Sequence, residues 1–229
     1  MLNGTKLYIT SAEYAGLFMV WAVSDTNAAK GKGITCFLVE ASNPGLSIGK
    51  AEHKMGQRGS STNEVLFTDC RITADAVLGN ENQGFKIAVG ELAGGRISVG
   101  SFTLGIGLAA MDYARQYITK RQQFGQTIAS FQGLQWMLAD RYTELEAARL
   151  LLMQAASRKE MGLSFAKEAS MAKVFASEKA NGACYTALQM LGGNCYSAEY
   201  RNDGPEMREL LVSMWVPVNF SALLLPANY

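Results

Sequence analysis

Four places in the chain combine side-chain types and spacings that could do chemistry. Tyr8-Ile9-Thr10 closes a strand-like run with an aromatic ring and a hydroxyl two residues apart. Such a pair can offer an apolar surface that excludes water and one hydrogen-bonding group beside it. The alternative is an ordinary strand with Tyr8 in the core. Arg121-Gln122-Gln123-Phe124-Gly125 stands where a long helical pattern ends. A guanidinium there can grip a phosphate-type anion through a forked pair of charge-assisted bonds, or be a solvated helix-end cation. Gly94-Gly95-Arg96 puts two glycines inside a helical pattern, which costs roughly 2 kcal/mol of helix propensity. They permit close backbone approach, by a ligand or by another helix. Gln189 is followed by Gly192-Gly193, a pair that also reads as a plain helix stop.

Other chemistries are excluded by what is scarce. His53 is the only histidine, which removes most zinc sites and every Ser-His-Asp triad; no metal is expected, and His53 is expected in solvent. Cys36, Cys70, Cys184 and Cys195 contain no C-x-x-C pair and read as reduced thiols in a cytosolic protein. A formal net charge of +1 lacks the basic footprint of nucleic-acid or anionic-membrane binding. The first residues carry no signal-peptide pattern. Trp215 to Leu225 is apolar but broken by Pro217 and too short to span a bilayer, so no membrane span is expected.

These residues must be positioned by two kinds of element. Lys6–Thr10, Leu17–Val23, Ile34–Glu40, Leu46–Gly49 and Glu64–Phe67 are β-branched or aromatic runs of strand length. Turn chemistry separates them, as an antiparallel sandwich or open barrel requires. After Leu78-Gly79-Asn80 the period becomes helical. Phe102, Ile106, Ala109, Ala110, Tyr113 and Tyr117 recur at steps of three and four. Leu134, Leu138, Leu145, Ala148, Leu152 and Ala155 form a second stripe, interrupted only by Arg141. A third run, Ser164 to Leu191, has Ser164 as a candidate N-cap and Gly192-Gly193 as its C-cap. The charged strings Arg158-Lys159-Glu160 and Lys167-Glu168 read as solvated surface. Three or four such helices pack as an antiparallel bundle. The fold class is therefore α+β: an antiparallel β sandwich or barrel over 1–77, a four-helix-type bundle over 78–200 and a divergent tail over 201–229. With 229 residues, 48% of them hydrophobic, the chain can bury a real core.

Seven strings in one order resemble the acyl-CoA dehydrogenase family. They are Leu2 to Thr10, Lys32 to Val39, Lys54 to Ser60, Asn82 to Lys86, Gly94 to Ile97, Arg121 to Gly125 and Gln189 to Gly193. The resemblance implies an FAD-dependent α,β-dehydrogenation of acyl-CoA thioesters in fatty acid metabolism, with electrons passed to an electron-transfer flavoprotein. By that resemblance Tyr8, Ile9 and Thr10 face the flavin ring. Arg121, Gln122, Gln123 and Phe124, with Phe131 and Gln132, reach the FAD of a neighbouring subunit. Gln189, Gly192 and Gly193 line its adenine side, and Arg96 lies beside the acyl chain, orienting the active-site carboxylate. A homo-tetramer or homo-dimer is implied, located in the cytoplasm or, in a eukaryote, the mitochondrial matrix.

The chain departs from the family in four ways. The family's N-terminal helical domain has no counterpart. Ala93 replaces an acidic residue often found there, and Ser11-Ala12 replaces an Asn-Gly turn. The general base, a glutamate, is absent both from its minority place, here Gly95, and from the tail after Arg201, so the catalytic residue is unknown. Codon degeneracy allows Pro205 to Ala222, read two bases later, to hide a Thr-Ser-Glu-Phe-Gln-Arg string, which points to a frameshift near Tyr200–Pro205; even that frame puts valine where the base belongs. We expect weak or absent turnover. The rivals are a non-catalytic oligomerising fragment, which bound flavin would exclude, and a flavin monooxygenase or oxidase, which oxygen consumption without an electron-transfer partner would mark.

Overall fold

A computed structural model describes residues 1–196 of the 229. The expectations placed on the tail, its missing glutamate and frameshift included, lie outside the described residues. The chain forms two compact units, Met1–Leu92 and the part from Ala93 on.

The first unit contains six strands: β1 (Leu2–Thr10), β2 (Leu17–Val23), β3 (Ile34–Glu40), β4 (Leu46–Ala51), β5 (Thr62–Cys70) and β6 (Val77–Leu78). They pair antiparallel in two three-stranded sheets, β1-β5-β4 and β2-β3-β6. Alternation decides the core. Val65, Phe67 and Cys70 of β5 bury with Leu2 against Phe18, Val20 and Val39 of the other sheet. The strand-like runs were found in the right order; β1 and β5 extend beyond them because Leu2–Asn3 and Asp69–Cys70 hold the far end of the ladder, where Asn3 and Asp69 bond reciprocally.

The described part of the second unit is built from three long helices. These are α1 (Gly84–Lys120), which starts in the first unit, α2 (Gln132–Glu160) and α3 (Ala166–Leu191). Between α1 and α2 lies a small hairpin, β7 (Gln122–Gln123) and β8 (Gln126–Thr127). The face of α3 inside the bundle is rich in alanine: Ala169, Ala172, Ala176, Ala180, Ala183 and Ala187 are fully buried. Small side chains let helix axes approach closely. Larger residues of the neighbouring helices, Met111 and Ile118 from α1, Leu145 and Leu152 from α2, fill the rest of the core.

Three details differ from the periodicity reading. Phe102 is half exposed and Ala109 exposed, because the buried line of α1 runs through Thr103, Leu104, Ala110, Met111, Ala114 and Ile118. Ser164 is not the N-cap of α3; Phe165 holds that position without a side-chain cap, and the Ser164 carbonyl instead accepts Arg158 Nε–H at 2.9 Å. Arg158 also pairs with Glu168 at 3.5 Å, so those two charges tie the α2–α3 turn together. With 37 residues, α1 is long and apolar enough by composition to cross a membrane, but the line just described is buried within the bundle.

Candidate functional site

In the first unit the end of β1 is irregular. Lys6 pairs with Val65 and Ile9 with Asn63, so two residues, Leu7 and Tyr8, oppose Glu64 alone. This is a β-bulge, a device that re-aims a side chain. Tyr8 takes φ 59°, outside the regions a bulky residue prefers. Its ring is 53% exposed, which disposes of the reading that it is a core aromatic. Thr10 is exposed and pairs with Thr62, and Ser11 N–H donates to the Ser61 carbonyl at 2.9 Å. Directly across from this stretch, Ser61 Oγ and Asn63 Oδ1 are buried without a hydrogen-bond partner among the described residues. The Asn63 amide nitrogen is used, donating to Gly49 O at 3.2 Å. Two orphaned oxygens opposite a strand end with a strained aromatic are unusual in a native interior. Beside them Lys6 Nζ donates to the Trp21 carbonyl at 2.9 Å, and burial pushes the Lys6 amine down from its ordinary pKa.

In the second unit, α1 stops at Lys120 and Arg121 opens the β7–β8 hairpin, accepting Ile128 N–H on its carbonyl at 2.9 Å. The turn residues Phe124 and Gly125 have φ 53° and 78°, the two positive values of a type I′ turn. Glycine suits that conformation; phenylalanine pays for it in strain and stands 90% exposed, its ring edge-on to Phe131 at 6.2 Å. Arg121, Gln122 and Gln123 are exposed; Phe131 is half-buried, and Gln132, exposed, begins α2.

At the far end of α3, Gly192 ends the helix with φ 61° and donates its N–H to the Gln189 carbonyl, so the helix-stop reading of Gly192 is correct. Gly193 follows, exposed. Asn194 Nδ2–H bonds the Tyr117 hydroxyl, and the Tyr117 carbonyl accepts Arg121 N–H at 2.9 Å. The fold thus brings the Arg121 loop and the Gly192-Gly193 stop to one end of the helical unit. Gln189 lines a shallow cleft of about 220 Å³ with Met137, Asp140, Arg141, Tyr185 and Thr186.

Arg141 was legible only as an interruption of an apolar stripe. Its guanidinium pairs with Glu144 at 2.6 Å and donates to Thr186 Oγ1 at 2.9 Å, while Lys179 reaches the other Glu144 oxygen at 2.7 Å. Burial acts to raise the Glu144 carboxyl, but hydrogen bonds from Lys179 and Arg141 outweigh it and hold the pKa below the ordinary value. Arg96 sits half-buried, donating from Nη1 to Ser170 Oγ at 3.0 Å; Ala93 is buried nearby on α1. His53 is exposed, Cys36, Cys70 and Cys184 are buried and form no disulfide, and Cys195 is exposed. Among the described residues no group of three His, Cys, Asp or Glu side chains could hold a metal.

Comparisons with known proteins match the sequence and fold of the chain. The profile described as "Acyl-CoA dehydrogenase, C-terminal domain" covers residues 82–216, and "Acyl-CoA dehydrogenase, middle domain" covers 1–70. The human mitochondrial short-chain specific acyl-CoA dehydrogenase is 46% identical over 87% of this chain and 48% of its own length. The acryloyl-CoA reductase (NADH) of Anaerotignum propionicum is 45% identical over 87% and 50%. Among solved structures, butyryl-CoA dehydrogenase from Megasphaera elsdenii superposes with a TM-score of 0.87 at 38% identity, over 94% of this chain and 55% of that one. The chain spans about half the length of the curated relatives it matches.

Proposed function

The chain belongs to the acyl-CoA dehydrogenase family, and we propose that it supplies the flavin platform and helical bundle of an FAD-dependent enzyme acting on short acyl-CoA thioesters. The observation that carries this reading is the end of β1. An exposed Tyr8 held at φ 59°, an exposed Thr10 and two buried unpartnered oxygens at the start of the adjoining strand, Ser61 Oγ and Asn63 Oδ1, leave hydrogen-bonding capacity unmet at this end of β1. A planar, polar-edged ring fits that donor and acceptor set. The short acyl chain is favoured by the names of the relatives, short-chain specific and butyryl-CoA enzymes.

FAD, when bound, supplies the two-electron acceptor for dehydrogenation. The residues of this chain do the rest of the positioning. Tyr8 covers one ring face and excludes water, and the Thr10 hydroxyl offers the polarising hydrogen bond. Arg121 provides a permanently charged forked donor for a diphosphate. Phe124 and Phe131 give that loop an apolar, rigid tip, Gln122, Gln123, Gln132 and Gln189 add amide donors and acceptors, and Gly192-Gly193 leaves room for close backbone approach. In the family this second set serves a neighbouring subunit, which calls for at least a homo-dimer, and electrons leave to an electron-transfer flavoprotein. Arg96 is assigned to the acyl site.

Proton removal needs a carboxylate, and Gly95 stands at the one described position where the resemblance would allow it. The chain alone therefore turns over weakly or not at all, while retaining flavin. The test is the visible absorption spectrum of the purified protein with and without added FAD. A bound-flavin band that Arg121→Gln and Tyr8→Ala diminish supports the reading; no band in excess FAD refutes it and leaves a non-catalytic bundle.

A further inference from the structure

Arg96 is the one arginine assigned to the acyl site, and its side chain is anchored at one point. A single hydrogen bond, Nη1 to Ser170 Oγ at 3.0 Å, holds it, and no carboxylate pairs with it among the described residues. One turn along α3 from Ser170 lies Lys173, only 7% exposed. Burial depresses the Lys173 amine, Glu178 acts the other way, and the positive charge of Arg96 adds a smaller downward push. The helices are also pressed together here, since a Cβ on Gly100 of α1 would lie 3.4 Å from Lys173 Cα. A half-buried guanidinium on a long flexible stem would swing toward water unless something restrained it. The Ser170 hydroxyl is suited to that task because it is itself fixed, donating to the Ala166 carbonyl at 2.7 Å while its lone pair accepts from Arg96.

We propose that Ser170 is a positioning residue, whose oriented hydroxyl fixes the Arg96 guanidinium and leaves its other N–H donors for an anionic or polarised oxygen of the acyl site. The orientation of Arg96 stands on geometry alone; the identity of the acyl-site oxygen rests on the function proposed above.

Two measurements keep those apart. In the full chain, nitrogen-15 spectra of the arginine side chains, with the Arg96 signal assigned by its loss in Arg96→Lys, report how freely the guanidinium rotates. Ser170→Ala and Ser170→Val are expected to raise its rotational exchange about tenfold, the effect of losing one charge-assisted bond, and Ser170→Thr to keep the slow signal. An Arg96 signal unchanged in Ser170→Ala and Ser170→Val overturns the proposal, because a serine that merely braced α3 would leave Arg96 unmoved. Comparing threonine with the isosteric valine removes any difference in folding. Calorimetric titration of the same proteins with butyryl-CoA then addresses the site. Binding weakened roughly threefold to tenfold in the alanine and valine variants and restored by threonine extends the positioning to substrate. No butyryl-CoA binding by the parent defeats the acyl-site assignment, and the spectra still decide the role of Ser170.

Discussion

Gly105 and Gly107 lie two residues apart on α1 in opposite surroundings, and alanine at the two positions should act with opposite sign. A Cβ at Gly107 would sit 2.9 Å from Ala180 Cβ, 3.0 Å from Ala180 Cα and 3.1 Å from Leu145 Cδ2, whereas at Gly105 it meets nothing within 4 Å. Neither glycine has a positive φ, so both gain about 1 kcal/mol of helix propensity on becoming alanine. Gly107→Ala must in addition push α1 away from backbone that cannot rotate aside, an overpacking cost of about 1–3 kcal/mol. Propensity cancels in the difference. Gly105→Ala should be about 1 kcal/mol more stable than the parent, and Gly107→Ala about 1–3 kcal/mol less stable than Gly105→Ala. At roughly 2–4 °C per kcal/mol for a chain of this size, the two melting curves separate clearly. Far-ultraviolet circular dichroism during thermal and urea unfolding is the assay, since helix signal follows the second unit even if the two units unfold separately. Equal shifts of the same sign in both variants would refute the contact between α1 and Ala180, and with it the account of α3 as a small-residue face built for close approach.

Three other outcomes follow from individual groups. The Cys184 thiol is fully buried and pushed up to about 12 by desolvation, so at neutral pH a thiol reagent should modify Cys195 and leave Cys184 untouched until the protein unfolds; prompt labelling of Cys184 in mass spectra would show that α3 is not packed as described. Glu144 has a depressed pKa in the folded chain, so its stabilisation is present above the unfolded value and lost as pH falls through the folded one. Glu144→Gln should cost about 1 kcal/mol at neutral pH and flatten the acid limb of the stability curve; an unaltered acid limb would mean that Arg141 and Lys179 do not hold the carboxylate in solution. Arg121→Gln removes the forked donor and should weaken FAD binding about tenfold or more, read from the fluorescence change on titration, with no change in the melting temperature of the flavin-free protein because Arg121 is exposed.

The fold was legible because its elements obey simple periods. Leu17–Val23 and Ile34–Glu40 fall at the bounds the β-branched pattern predicts, since alternation and turn residues agree there. On α1 the periodicity missed the buried line by one residue at Phe102. A helix rich in glycine and alanine carries no strong apolar stripe, and the choice of buried face follows close packing, with Gly107 set against Ala180 of α3 where a larger side chain would not fit. The Arg141–Glu144–Lys179 cluster was illegible for a related reason. Its charges come from two helices, and only the fold brings residue 179 opposite residue 144. The sequence shows Arg141 as a break in a pattern but not what the break is for.

The candidate site was legible in type and order, and illegible in conformation. Nothing in the string Tyr8-Ile9-Thr10 announces a bulge, because the strand signal is β-branched and aromatic content, which Tyr8 satisfies. What displaces it is the register against β5, fixed on one side by Val65 in the core and on the other by Thr62 and Asn63. Where both registers must hold, one strand has to absorb an extra residue, and the residue expelled is the aromatic one. The same logic recurs at Phe124, where an I′ turn that asparagine or glycine would adopt freely is occupied by an exposed ring. Local rules are broken at two aromatics, both at positions tied to the flavin by resemblance and neither repaid by burial in its own unit. Strain that the isolated unit does not offset is best understood as offset by a bound group. On that argument flavin should stabilise the folded chain as well as colour it: adding FAD should raise the melting temperature, and Tyr8→Gly, which relieves the positive φ while removing the ring, should stabilise the flavin-free protein and lose the response to FAD.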